Sequence, residues 1–567
     1  MPFPPQHASH RRAILERLQR ETFDLLVIGG GITGAGVARD AAMRGLRVAL
    51  VEQDDFASGT SSRSSRLVHG GVRYLEHGAL GLVFESSRER RTLLSIAPHL
   101  VRPLSFVWPV YRGARIARWK LAAALTLYDA LALFRNVARH ERLSANAVLA
   151  REPRLDASRL VGGARYWDAA TDDARLTLAT VRSAVAEGAV VANHARVGDL
   201  LREGQRIAGA SVTDTRCDAT FDVHARVVVN ASGPWSDRVE RLAHAGSAAR
   251  VRGSKGVHVS VPRARVGNGS ALTLTAPQDG RVMFVLPSGT FTIIGTTDTF
   301  DDVAPEHVRA ATVDVEYLLG AANHYFPVAR LTTADVVSAW AGIRPLAVSA
   351  GGARDPGGAS REHAIEETEA GLVRVTGGKL TTYRAMASEV VDTVQRVLGD
   401  GLAHSRTART PLMGGDLRNV EGEIAIAAQR IGDLAVAQRL VHAHGSKWND
   451  VWALAELEPG LRERVEPGLP YVLAELAYAV REEMAQTLGD LLIRRMPIAF
   501  ETSDHGCSAA RRVVGEVASW QAWSETEATL AVAEFDAESA RIFAIEPSGA
   551  PIAVRLSASV AGAPRSS

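Results

Sequence analysis

Three glycines and one acid carry the first chemistry legible in this chain. Gly29, Gly31 and Gly34 have GxGxxG spacing, and Glu52 stands about twenty residues beyond them. Each position has a physical task. Gly29 makes a tight turn, Gly31 lets the backbone approach a pyrophosphate, and Gly34 lets a helix pack closely on a strand. Gly30 and Thr33 complete the turn, and Glu52 is placed to accept the ribose hydroxyls of an adenosine. The flanking residues predict the elements that such a site needs. An apolar strand, Asp24 to Ile28, runs into the glycines. An Ala-rich helix follows to Gly45, and a second strand, Arg47 to Val51, ends on the acid. The helix N-terminus offers free N–H groups and a positive dipole end to phosphates. Strand, turn, helix, strand and acid in register predict a dinucleotide-binding βαβ unit.

Three further segments say which dinucleotide. The loop from Phe56 to Leu75 is rich in hydroxyls and bounded by glycines. Its Thr60, Ser61, Ser62 and Ser65, with Leu67 and the local backbone, suit phosphates and a ribityl chain. The run Val227-Val228-Val229-Asn230-Ala231-Ser232-Gly233-Pro234 reads as a late strand of the same sheet, ending in a turn at Ser232 and Gly233 under the cofactor. From Val373 to Arg384 a third strand–glycine–helix step brings Gly377, Gly378, Lys379, Leu380 and Thr381 to the same place. A helix starting there aims its positive end at an electron-rich ring carbonyl and stabilises a reduced flavin. Three glycine-bearing strand ends on one cofactor suit FAD better than NAD.

The whole chain is compatible with a globular enzyme. It has 567 residues, 46% of them hydrophobic and 23% charged, and room for two or three domains. A net charge of +2 argues against a nucleic-acid partner, and no nucleic-acid motif is present. Cys217 and Cys507 lie far apart and read as reduced thiols. No metal site is expected, since Cys/His clusters, HExxH and calcium-loop spacings are missing. Residues 1–20 lack the continuous apolar run of a secretory signal, and no segment is long and apolar enough to span a bilayer. One segment stands apart. Arg112, Arg115, Arg118, Trp119 and Lys120 precede an apolar stretch reaching Phe134. Periodicity favours a buried helix with a solvated basic face there; a helix lying on an anionic membrane is the other reading.

Taken together, the motifs GGGITGAG, TSSRSSRLVHGGVRYLEHG, VNASGPW, RGSKGVHV, FTIIGTTD, WAGIRPL and TGGKLTTYR resemble those of FAD-dependent glycerol-3-phosphate dehydrogenases of the respiratory type. They span roughly residues 22 to 385 in that family's order, and GDLLIRR at 489–495 resembles its helical C-terminal signature. The resemblance implies an α/β fold: a glutathione-reductase-like FAD domain of the D-amino acid oxidase type, built from discontinuous segments of 21–405. An antiparallel β substrate domain would be inserted over roughly 240–340, and an all-α domain would occupy 406–530. Residues 1–20 and 531–567 are expected as a flexible extension and tail. The implied reaction is oxidation of sn-glycerol 3-phosphate to dihydroxyacetone phosphate by hydride transfer to FAD, with a membrane quinone as electron acceptor. The implied location is cytoplasmic, peripheral on the inner membrane through residues 112–134; a homodimer is compatible.

Such a reaction needs a phosphate clamp and a proton acceptor. Arg binds two phosphate oxygens with one planar fork, so Arg73, Arg344 and Arg361 are the substrate candidates, with Lys379 as a point charge. Lys379 opens a helix, where a cation opposes the dipole and is expected to meet substrate or reduced flavin. Among seventeen histidines, His69 and His258 fall inside the shared motifs and rank first as proton acceptors. Arg344 and Lys379 also count as catalytic through charge stabilisation. Tyr74 is an orienting hydroxyl, and Thr297, within Thr296-Thr297-Asp298, orients a base or the substrate. The alternatives are a glycerol-3-phosphate oxidase returning electrons to oxygen, an amine or amino-acid oxidase on the same scaffold, and a flavoprotein acting on tRNA.

Overall fold

The computed structural model describes residues 6–247, 250–301, 303–347, 362–399, 401 and 403–547. The strand after residue 21 is buried on both faces: Leu25, Leu26 and Val27 are fully covered. This is why the stretch is continuously apolar rather than alternating, as a central parallel strand must be. Thr22–Ile28 pairs in parallel with Ala219–Asn230 on one side and Val48–Val51 on the other. Leu372–Gly377 joins beyond Ala219–Asn230 and Val190–Ala192 beyond Val48–Val51, also in parallel. An antiparallel strand, His363–Glu369, and the hairpin of Ala195–Glu203 with Arg206–Asp214 complete an eight-stranded sheet. The three glycine-bearing strands are thus neighbours, with their carboxyl ends on one edge, where open α/β sheets bind ligands.

A second sheet of ten strands faces that edge. Its spine is Val251–Pro262, paired antiparallel over ten positions with Ser338–Ala347 and, on its other side, with Phe291–Gly295. Val282–Ser288 and Ala271–Thr275 follow. The expected insertion at roughly 240–340 supplies only part of this sheet. Val101–Tyr111 and Leu160–Thr171, from far earlier in the chain, extend it by a parallel pairing to Ala271–Thr275. Pro103, Pro109, Gly162 and Gly163 hide these strands in the sequence, because proline cannot donate to a ladder and glycine packs nothing.

Both ends differ from expectation. Residues 6–20 form a helix, Gln6–Arg20, rather than a flexible extension. Leu18 is fully buried, with Ile14 and Leu15 packed on the first sheet's core, and Arg11 pairs with Asp214 at 2.9 Å. Its apolar stripe is only those three residues among Arg, His and Glu, too short to announce a docked helix. The helical region also runs past 530: Glu525–Phe543 starts at a Ser524/Glu527 capping box and buries Phe535, Ile542 and Phe543. Residues 548–567 lie outside the described residues. Among those described, no helix is long and apolar enough to cross a membrane.

Candidate active site

A cavity of about 520 Å³ runs along the carboxyl ends of the parallel strands and under the second sheet. At its dinucleotide end the backbone does the work. A Cβ on Gly34 would lie 1.9 Å from the Gly29 carbonyl oxygen, so only glycine lets the helix sit this close to the strand. Gly29 itself has φ +111° and faces the Ala231 carbonyl, where the second strand ends. Ser61 turns its hydroxyl to the helix N-terminus and accepts the Ile32 N–H at 2.9 Å. Glu52 accepts N–H bonds from Gly30 at 2.6 Å and Asp54 at 3.0 Å. Burial pushes its carboxyl up to about 7 against those bonds. Gly29, Gly31, Thr33, Glu52, Thr60, Ser61, Ser65, Leu67, Ser232, Gly233, Gly377, Gly378, Lys379, Leu380 and Thr381 all line the cavity. Gly30, Gly34 and Ser62 stand behind its wall and shape it from there. This glycine cradle, ending three parallel strands at one cleft, fits FAD.

The other end is made of side chains. His258 lies on the spine strand, and its imidazole stacks on Trp340 of the neighbouring strand, with ring centroids 5.5 Å apart. Its Nε2 meets the Ser65 hydroxyl at 2.9 Å. Gly295 opposite makes room, since a Cβ there would fall 2.2 Å from the imidazole. Burial, then the nearby Arg344 and Arg66, hold His258 neutral, with its pKa down to about 3. Arg344 lies over Gly256, donating to Asp298 at 3.2 Å and to the Thr296 hydroxyl at 2.9 Å. Lys379 places its ammonium 3.6 Å from the centre of the Tyr74 ring. Thr381 grips the backbone of His69 twice, accepting its N–H at 3.1 Å and donating to its carbonyl at 3.2 Å. His69, Tyr74, His258, Arg344 and Lys379 all line this cavity.

Of the other substrate candidates, only Thr297 has a described side chain. Thr297 does not line the cavity; its hydroxyl accepts the Val257 N–H at 3.0 Å and ties its loop to the spine strand. Arg73 sits on the turn Val72–His77, its side chain outside the described residues, and Arg361 lies outside them altogether. Sequence reasoning missed Asp168, Arg281, Phe284 and Trp340, which line or back the wall. Asp168, Phe284 and Trp340 belong to strands of the second sheet and Arg281 directly precedes one; no local motif marks them, and alternation within those strands was the only signal.

Ligand-type atoms of Asp55, His194 and Asp490 come within 4.8 Å of one another. These carboxylates are already saturated. Asp55 takes Arg494 at 2.7 Å, Arg495 and Asn193, while Asp490 takes His194 and Arg494, each at 2.9 Å. The knot is a buried ion-pair network that fastens the GDLLIRR segment to the loop following Glu52, with its charges matched as burial requires.

With this geometry in hand, likeness to known proteins is informative. Residues 24–392 match the FAD dependent oxidoreductase family, and 405–528 match the C-terminal domain of alpha-glycerophosphate oxidase. The glycerol-3-phosphate dehydrogenase of Mycobacterium leprae is 41% identical over 536 residues, 93% of this chain and 90% of that protein. The aerobic glycerol-3-phosphate dehydrogenase of Staphylococcus aureus is 36% identical, covering 86% of this chain and 88% of its own. The crystal structure of the glycerol-3-phosphate dehydrogenase from Bacillus halodurans, complexed with FAD, superposes with a TM-score of 0.79 at 33% identity, over 94% of this chain and 98% of that one. The chain belongs to the family of FAD-dependent glycerol-3-phosphate dehydrogenases.

Proposed function

We propose that the protein oxidises the secondary alcohol of sn-glycerol 3-phosphate to dihydroxyacetone phosphate and hands the electrons to a quinone at a membrane surface. The observation that carries this reading is that Arg344, Lys379 and His258 line the same cavity as the three glycine-bearing strand ends. FAD, when bound, supplies the ring that accepts the hydride. The two cations attract the phosphate dianion and orient the substrate, Arg344 through a fork that Asp298 and Thr296 keep planar to the wall. His258, held neutral by burial, takes the hydroxyl proton; Ser65 fixes its ring through Nε2. Arg344, beside it, lowers the cost of the negative charge that develops on the oxygen. His69 is the second candidate for the proton; Thr381 holds its backbone.

The membrane part of the proposal rests on helix Arg118–Leu131 and the residues after it. Leu121, Leu125 and Tyr128 face inward, while Trp119 is 69% exposed, Leu133 57% and Phe134 54%. Lys120 lies over the Trp119 ring and Arg139 over Phe134. An exposed apolar face rimmed by cations suits a leaflet of anionic lipid. Incubation with glycerol 3-phosphate and a short-chain quinone is expected to give one dihydroxyacetone phosphate per quinol. Stoichiometric hydrogen peroxide without quinone would overturn the acceptor in favour of oxygen.

A further inference from the structure

The helical C-terminal region touches the second sheet at one aromatic point. Phe500, at the end of the short helix Ile498–Glu501, meets the Trp340 indole edge-on, with centroids 5.2 Å apart and planes at 88°. Trp340 is the register partner of His258 across the sheet and stacks on its imidazole with planes 15° apart. Behind Phe500, Phe543 of the last helix packs edge-on at 4.9 Å, and His505 stacks on Phe543 at 4.8 Å. The Arg66 guanidinium covers the Phe500 ring at 4.7 Å and the Trp340 ring at 5.7 Å. The column is dry: Trp340 and Phe543 are 1% exposed, His258 2% and Phe500 4%.

We propose that Phe500 is a positioning residue for the oxidation: through Trp340 it fixes the plane of the His258 ring at the substrate end of the cleft. Among the described residues the imidazole has one polar anchor, the Ser65 hydroxyl, which sets the place of Nε2 but leaves the ring free to swing about that bond. The Trp340 stack removes that freedom. The Trp340 indole N–H has no hydrogen-bond partner among the described residues, so packing alone orients the indole. Phe500 and Arg66 supply that packing, and edge-on aromatic contacts are geometrically selective. A domain remote in sequence thereby becomes part of the reaction geometry. Among the described residues, the helical region contributes none to the cavity lining.

The inference rests on the reading of His258 as proton acceptor, and its test separates the two. The quantity measured is the rate constant of anaerobic flavin reduction by glycerol 3-phosphate, per bound FAD, together with substrate affinity. Phe500→Ala is expected to slow reduction about 10- to 100-fold with affinity within about twofold, as misplacement of a reacting group does. Phe500→Leu keeps most of the volume, guards against a variant that fails to fold, and is expected to lose several-fold. His258→Gln alone is expected to lose more than either, and adding Phe500→Ala to it is expected to cost less than about twofold more. Wild-type rates per bound FAD in both Phe500 variants, or losses that multiply in the double variant, would overturn the positioning role while leaving His258 in place. A His258→Gln enzyme reducing its flavin at the wild-type rate would instead sink the proton-acceptor reading, and the role of Phe500 with it.

Discussion

The two ends of the cleft are built on opposite principles. The dinucleotide end is backbone: a φ of +111° at Gly29, a helix pressed on a strand at Gly34, and N–H groups at a helix start. The proposed substrate end is side chains, drawn from a spine strand, a neighbouring strand, a loop and a glycine-headed helix. Backbone recognition is written in contiguous residues and tolerates little change at any of them. Side-chain recognition is assembled across long sequence distances, and its supports lie outside any motif. Substitutions at the first end should therefore remove the cofactor, and substitutions at the second should leave the cofactor bound and damage the reaction.

The largest effect is expected at Gly34. Any side chain there collides with the Gly29 carbonyl oxygen, backbone against backbone, and nothing can yield. Gly34→Val should purify without FAD, as read from visible absorbance; a fully loaded variant would break the contrast at once. Arg344→Lys comes next. Lysine loses the fork that bonds Asp298 and Thr296, and kcat/KM for glycerol 3-phosphate should fall about 100- to 1000-fold. Its FAD content should match the wild type. Loss of FAD from this variant would mean that the two ends are not separable.

The strands that carry the glycines were legible because their apolar runs are local and continuous; the register then joined Val227, Val228 and Val229 to Leu25, Leu26 and Val27 as the sequence suggested. His258, Arg344 and Lys379 were legible as family motifs, not as a wall. Their gathering depends on pairings such as His258 with Trp340 that no local window contains. Val101–Tyr111 and Leu160–Thr171 were invisible because Pro103, Pro109, Gly162 and Gly163 break the strand pattern, and the pairing of the two strands overrides that local bias. The helix Gln6–Arg20 escaped because only three apolar residues dock it, with Arg11 reaching Asp214 across the sequence.

Acid should expose the side-chain architecture more gently. Burial lowers His258 and His99 to a pKa of about 3, with Arg344 and Arg66 adding to the effect at His258, and Arg175 and His444 at His99. In the unfolded chain both return to about 6.5 and bind protons there. The stability that each neutral ring contributes is thus fully present above pH 6.5 and is lost as pH falls towards 3, at about 1.4 kcal/mol per pH unit per ring. Tm should fall steadily from pH 7 to pH 5, and His99→Leu should flatten that slope. An unchanged slope would mean that His99 does not titrate on unfolding as its burial demands. Because His258 is neutral throughout that range, the reaction itself should not lose its proton acceptor before the fold weakens.

The smallest effect on the purified enzyme is expected at the surface. Trp119→Ser with Phe134→Ser removes two exposed rings, so the free energy of unfolding should stay within about 0.5 kcal/mol of the wild type. Binding to vesicles containing anionic lipid should weaken about tenfold or more, as cosedimentation would measure. Unaltered vesicle binding would place the membrane contact elsewhere.

The most direct measurement is anaerobic addition of glycerol 3-phosphate to the purified yellow protein, with glycerol as the control. Rapid loss of the flavin absorbance with the phosphate ester alone is expected, because only the ester carries the charge that Arg344 and Lys379 are placed to hold. A flavin that stays oxidised, or one that glycerol bleaches as fast, would contradict the assignment of that wall to a phosphorylated alcohol.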